Sequence, residues 1–470
     1  MRVATRFATA ALALAPAISA KVSYEGYKTF QVTAHDDFDG VTKALSGLDF
    51  VDMSCESDHE HLDIAVSPKD LKAFEALGLD AKLLIEDLGA ELDKETFQPY
   101  ECKLPSKDSY SWSLVLTKLR IATKLRARDG EVPELPDMSY FESYHTLEEH
   151  HQFLEDVAAT LPDNSEIFSA GESLEGRPLK GIHLYGRDGP GKHEAIIWHG
   201  TVHAREWIVA PVSDQCLHWM YGSSNVTCEQ TLEYILYKLV DGWHKRSCTS
   251  KRTLDNFDVY IMPIVNPDGF SYTLTNDRLW RKNRQERDGE TCLGTDVNRN
   301  WPHFWDVPGG SSTDPCSQTY RGEEPGDTPE MAVLTNHTLA IAEAQGIKYY
   351  IDWHAYSQLL LLPYGYSCTA DAPNYEKQLE LAGGVAEAIK SVNGLDFVYG
   401  QTCRTIYQTS GGSMDYVQDI AQAEYSWAVE LRPNSAGAGG FVIPPENIVP
   451  SGEENWAGMK YVLARFATDL

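Results

Sequence analysis

Two histidines and a glutamate stand out by type and spacing. His203 and Glu206 are three residues apart, and His354 lies far downstream, just after the apolar run 347–353. Residues three apart share a face on a helical turn and can grip one ion together. Two imidazoles and one carboxylate suit a tetrahedral zinc that keeps its fourth position for water or substrate, which is the pattern of a catalytic centre. A structural zinc takes four protein ligands, usually with paired cysteines, and no Cys-x-x-Cys occurs in this chain. A bare His-x-x-Glu is most often a solvated polar pair. Here it gains weight from the strand-like run and Gly200 before it, and from the second strand-like run that ends in His354. His199 nearby reads equally well as a packing residue.

The elements that must position these residues form an α/β pattern. Apolar runs at 195–198, 259–265, 349–351 and 427–429 read as buried strands, with helical stretches such as 331–344, 375–392 and 454–466 between them. This alternation predicts a central mixed, mostly parallel sheet flanked by helices, with ligands just beyond strand ends. A smaller pattern comes first: strand 27–32, helix 38–48, strand 62–66, helix 69–79 capped by Ser67 or Asp70, and strand 81–85. That order suggests a small α+β open sandwich. Between the two units, residues 109–128 combine helical spacing with Lys118, Arg120, Lys124, Arg126 and Arg128. Asp129-Gly130 and Pro133 to Pro136 then break the helix. A basic connector of this kind is a cutting site for a trypsin-like protease; an ordinary solvated helix face would look similar.

Composition narrows the class. The 470 residues carry a net charge of −29, which argues against nucleic-acid binding, since phosphate contacts need basic patches. Arg2 and Arg6, the apolar stretch 7–18 and Ser19-Ala20 read as a signal peptide over residues 1–20. That apolar stretch is too short to span a bilayer, and no later segment is longer. Nine cysteines fit an oxidising compartment with one left over. Cys292 with Cys316, Cys368 with Cys403, Cys228 with Cys248 and Cys55 with Cys102 are plausible pairs. Cys216 then stays single, and sequence alone does not fix the connectivity. Asn225-Val226-Thr227 and Asn336-His337-Thr338 are glycan acceptors in a secreted protein.

The segment His199-Gly200-Thr201-Val202-His203-Ala204-Arg205-Glu206-Trp207-Ile208 resembles the signature of the metallocarboxypeptidases related to pancreatic carboxypeptidase A. Further motifs follow in the order of that family: Asn266-Pro267-Asp268-Gly269-Phe270, Arg278-Leu279-Trp280-Arg281-Lys282, Asp296-Val297-Asn298-Arg299-Asn300-Trp301 and His354-Ala355-Tyr356-Ser357-Gln358. Pro363-Tyr364-Gly365-Tyr366, residues 405–413 and Glu430-Leu431-Arg432 complete the series. The resemblance covers residues from about 138 onward and implies one zinc ion held by His203, Glu206 and His354, the same three that spacing selects. It makes Asp296 the carboxylate that orients His203, where an acid could otherwise cap a turn. It makes Glu430 the general base, where a core glutamate paired with Arg432 or another arginine is the plainer reading. Arg281 would steady the oxyanion. Asn298 and Arg299 would clamp the substrate's free carboxylate, Tyr407 would close over it, and Arg205 would contact the peptide further from the cut.

Met414 stands where the family sets its preference. With Gly365 and Ala428 it leaves no counter-charge for Lys or Arg, so aromatic or large aliphatic C-terminal residues are expected; Thr402 and Thr409 depart from the usual counterparts. The resemblance extends loosely to the N-terminal unit, giving a signal peptide at 1–20, an inhibitory propeptide at 21–128 cut near Arg126 or Arg128, and a catalytic domain at 129–470. The expected partners are peptide C-termini and an activating protease, with the enzyme acting as a monomer. An inactive binding protein on this fold would be expected to lose the base, the clamp or a ligand. A zinc amidase for acylated amino acids would have less use for Tyr407, Arg205 and a propiece.

Overall fold

The computed structural model describes residues 21–34, 38–54, 61–95, 133–209 and 231–468. The expected signal peptide, the basic connector, Cys55, Cys102, Cys216, Cys228 and the Asn225 sequon lie outside them.

The first unit is a four-stranded antiparallel sheet in the order β2-β3-β1-β4, formed by β1 (Lys28–Thr33), β2 (Phe50–Asp52), β3 (His61–Val66) and β4 (Ala81–Ile85). Helices Phe38–Leu45 and Leu71–Ala76 accompany it, and Val32, Leu45, Ile64, Val66 and Phe74 close the core. The expected open sandwich is present with one strand more. Three residues of β2 are too few to show a period in the sequence. The second helix is shorter than its pattern, because Gly78 takes a left-handed φ of 64° just past its end.

The second unit is an eight-stranded mixed sheet in the order β11-β10-β12-β9-β7-β8-β6-β5. Its strands are β5 (Ser165–Glu172), β6 (Pro178–Leu184), β7 (Ala195–Gly200), β8 (Asp258–Met262), β9 (Ile347–Ala355), β10 (Leu359–Leu362), β11 (Val398–Gln401) and β12 (Tyr425–Leu431). The neighbours β12-β9, β9-β7, β7-β8 and β10-β11 run parallel. The four apolar runs of the sequence became β7, β8, β9 and β12, the inner strands. Both faces of these are covered, so they read as continuous hydrophobic runs. The outer strands β5, β6 and β11 carry mixed residues, and β10 is a short run of four leucines, so none announced itself.

Alternation along β9 sorts its side chains. Tyr349, Ile351 and Trp353 join the larger core with Trp198, Trp427 and residues of helices Thr231–His244, Tyr375–Asn393 and Ile448–Phe466. Tyr350 joins the opposite core with Ile197, Met262 and Met331 of helix Pro329–Gln345. That helix starts where Thr328 Oγ1 accepts from Met331 N at 3.1 Å, with Pro329 in its first turn. Disulfides join Cys292 to Cys316 and Cys368 to Cys403. Cys248 pairs with no described cysteine. No helix among the described residues is long and apolar enough to cross a membrane.

Candidate active site

The site sits at the carboxyl edge of β7, β9 and β12. Gly200 ends β7, and Thr201 takes a φ of 54°, rare for a β-branched residue, turning the chain across that edge. The segment that follows is a single turn. Glu206 N donates to His203 O at 3.2 Å, which brings residues three apart together just as a helix would. His203 Nδ1 then lies 2.7 Å from Glu206 Oε1. The next strand, β9, brings His354 Nδ1 to 3.1 Å from Glu206 Oε2 and 3.2 Å from His203 Nδ1.

These atoms form the only candidate metal cluster among the described residues, and all three side chains are buried. The triangle has the size a tetrahedral zinc needs, since bonds of about 2.0–2.1 Å place neighbouring ligand atoms roughly 3.3 Å apart. The three groups and their neighbours also answer one another electrostatically. Burial alone would raise the Glu206 carboxyl, but His203 and His354 hold it well below its ordinary range. Burial would lower His354, yet Asp352 and Glu206 raise it well above the imidazole range.

Asp296 does both things the sequence allowed. Its Oδ1 lies 3.1 Å from His203 Nε2, and it also caps the turn Val297–Arg299 by accepting from Asn298 N at 2.9 Å. Burial would raise this carboxyl, while Arg281 and His203 hold it far down. Arg281 donates to Asp296 Oδ2 from Nε at 3.2 Å and Nη2 at 3.0 Å, leaving Nη1 3.8 Å from Glu206 Oε1. Glu430 on β12 stands in register with His354 on the parallel β9, so both side chains leave the same face, and Glu430 is buried. Arg432 is not its partner: its Nε and Nη2 donate to Glu454 at 3.0 and 2.5 Å.

Asn298, Arg299 and Tyr407 come together as expected. Arg299 Nη2 lies 3.3 Å from the Tyr407 hydroxyl and Nη1 donates to Asn298 O at 3.0 Å. Met414 is the second residue of the helix Ser413–Asp419, buried, with Thr402 Oγ1 3.6 Å from its sulfur. A Cβ on Gly365 would fall 2.1 Å from Thr409 Oγ1, so a larger residue there would displace Thr409.

Arg205 is buried beneath the N-terminal unit. Its Nη1 donates to Asp52 O at 2.9 Å, its guanidinium lies over the Phe441 ring at 3.9 Å, and burial lowers its pKa to about 10. The Tyr356 hydroxyl donates to Met53 O at 2.8 Å. Glu95 forms a buried two-pronged pair with Arg278, at 2.8 Å to Nε and 2.6 Å to Nη2. The small unit thus rests on the cleft at several points. The sequence reading missed Asp352, whose Oδ2 is 3.2 Å from His354 Nε2. A charge inside an apolar strand, two residues before a ligand, was the available signal. His199 stays outside the cluster, its Nδ1 3.3 Å from the Tyr350 hydroxyl, and burial lowers its pKa to about 3.

This arrangement defines a metallopeptidase cleft on a mixed α/β sheet. The model of the zinc carboxypeptidase family, peptidase M14, matches residues 150–458. The chain is 39% identical over 453 residues to a metallocarboxypeptidase A-like protein of Trichophyton verrucosum, covering 95% of each chain. It is 30% identical over 395 residues to carboxypeptidase A2 of Rattus norvegicus, covering 84% of this chain and 80% of that one. The crystal structure of the carboxypeptidase A from Helicoverpa armigera superposes with a TM-score of 0.69 at 24% identity, over 95% of this chain and 98% of that one. The chain belongs to the zinc carboxypeptidase family, peptidase M14, and is a metallocarboxypeptidase.

Proposed function

We propose that this metallocarboxypeptidase holds one zinc ion through His203, Glu206 and His354 and releases hydrophobic or aromatic residues from peptide C-termini. The observation that carries the reading is the convergence of three buried ligand atoms, with Glu430 in register beside one of them. Zinc bound there supplies Lewis acidity, polarising the scissile carbonyl and acidifying the attacking water. Glu430 takes the proton of that water and delivers it to the leaving amine. Arg281, braced by Asp296, steadies the developing oxyanion. Arg299 and Asn298 receive the terminal carboxylate, and Tyr407 excludes water above it.

The preference for apolar side chains is supported by the pocket. Met414 and Ala428 are uncharged, and the nearby acids are engaged: Asp352 by Ser413 and His354, Asp415 by the N–H groups of Gly365 and Tyr366. We also propose the division into a leader at 1–20, an inhibitory unit at 21–128 and the enzyme at 129–470, with secretion and activation by a trypsin-like cut. Inhibition is supported by the cover over Arg205 and Tyr356. Asn336, exposed on its helix, is a glycan acceptor on that route.

Processed enzyme tests the reading on a peptide with a free C-terminus and on its amidated twin, with and without a chelator. Cleavage of the free acid alone, abolished by chelation and faster for C-terminal Phe than Arg, is expected. Cleavage of the amide at a similar rate would refute exopeptidase action, and faster release of Arg would refute the preference. An uncut precursor as fast as the processed form would refute the inhibitory unit.

A further inference from the structure

Alternation on β9 sets Lys348, Tyr350, Asp352 and His354 on one face, a polar row opposite Ile347, Tyr349, Ile351 and Trp353. We propose that Asp352 is the positioning residue that makes His354 a metal ligand, by holding the ring proton on Nε2 and leaving Nδ1 bare. The inference rests on the zinc reading above.

A metal on His354 Nδ1 requires the proton on Nε2, and the partner of that N–H decides the tautomer. Two groups face Nε2: Asp352 Oδ2 at 3.2 Å and Asn298 Nδ2 at 3.1 Å. The orientation of Asn298 follows from its other end, because Oδ1 accepts from Ser413 N at 2.8 Å. Its amide NH₂ is therefore what faces the ring, and an NH₂ cannot accept. Left to Asn298, Nε2 would offer its lone pair and the proton would move to Nδ1, the tautomer that binds no metal. Asp352 Oδ2 already accepts from Ser413 Oγ and so presents a lone pair to the ring, which selects the opposite form.

Asp352 is aimed for this. It is 2% exposed, and Ser413 Oγ donates to the same Oδ2 at 2.5 Å. Ser413 thus fixes both groups that compete for the ring, Asn298 through its backbone N–H and Asp352 through its hydroxyl. Each ligand imidazole has its own carboxylate: Asp296 from a loop for His203, and Asp352 from the same strand for His354.

The test uses full-length chain stripped of metal, at one pH, with zinc affinity read by chelator competition and the His354 tautomer by imidazole ¹⁵N NMR. Asp352→Ala is expected to bind zinc about 10–100-fold more weakly, with the His354 proton moved to Nδ1. Adding Asn298→Ala to Asp352→Ala removes the opposing donor and is expected to restore at least threefold of that loss. Asp352→Asn, which keeps the shape and one carbonyl acceptor, is expected to fall between wild type and Asp352→Ala; it serves as the probe if Asp352→Ala does not fold. Wild-type affinity in Asp352→Ala or Asp352→Asn, an unchanged tautomer in Asp352→Ala, or a double variant weaker than Asp352→Ala would overturn the inference. Wild type that binds no zinc, or His354→Ala that binds it equally well, would instead overturn the ligand assignment.

Discussion

The two sheets treat polar groups in opposite ways. The core of the small unit is built on Val32, Leu45, Ile64, Val66 and Phe74. What that unit offers the cleft comes from its rim: the carbonyls of Asp52 and Met53 and the carboxylate of Glu95. In the large unit, His203, Glu206, Arg281, Asp296, His354 and Glu430 are all buried at one edge of the sheet. Isolated burial of a charge costs several kcal/mol, so such groups persist only when partners match them. Here Asp296 answers both His203 and Arg281, and Glu206 answers both imidazoles. Chemistry therefore concentrates where charges are over-determined, while the small unit contributes fit.

The sharpest break of this contrast is Glu430→Gln. The change is isosteric and removes only the basic oxygen, so kcat should fall about 10³-fold with zinc content and melting temperature unchanged. Initial rates and metal analysis on the processed enzyme check it. A loss below tenfold would mean that the buried edge holds its base elsewhere.

The rim is tested by Glu95→Ala. Removing one partner of a buried ion pair costs about 3–5 kcal/mol. Arg278 keeps the carbonyls of Arg205 and Phe441 and the face of Trp207, so the lower end of that range applies. The uncut chain should gain activity about 100-fold, toward the rate of the processed enzyme, which no longer carries residue 95. An uncut chain that gains less than tenfold would show that this pair does not hold the cover in place.

How far the sequence was legible follows the same division. Inner strands showed because burial on both faces writes continuous apolar runs; β7, β8, β9 and β12 were found this way. The His203–Glu206 spacing was informative because a single hydrogen-bonded turn is enough to bring residues three apart together. Short strands such as β2 and β10 carry too few residues for a period. Asp352 was missed because its role depends on Asn298 and Ser413, which sequence distance hides and the fold brings together. The docking of Glu95 on Arg278 was invisible for the same reason.

The mildest test compares two aspartates with similar bonding. Asp87 in the small unit accepts from Gly26 N at 3.0 Å and Ala90 N at 3.2 Å; in its solvated setting those bonds lower its pKa. Asp415 in the large unit accepts from Gly365 N and Tyr366 N, each at 3.0 Å. There burial outweighs the same bonds, and with a contribution from Asp419 the carboxyl is raised to about 7. The folded state then keeps a proton that the unfolded chain, at the ordinary carboxyl value of 3.8, has released. Asp415 therefore contributes stability that is complete below that value and lost as pH rises toward 7. Between pH 5 and 6 wild type should lose about 1.4 kcal/mol relative to Asp415→Asn, the worth of one proton over one pH unit. Denaturant midpoints of both proteins at the two pH values measure this directly. A difference that stays constant would mean Asp415 is ionised throughout, and that burial does not outweigh the two N–H bonds at that edge of the sheet.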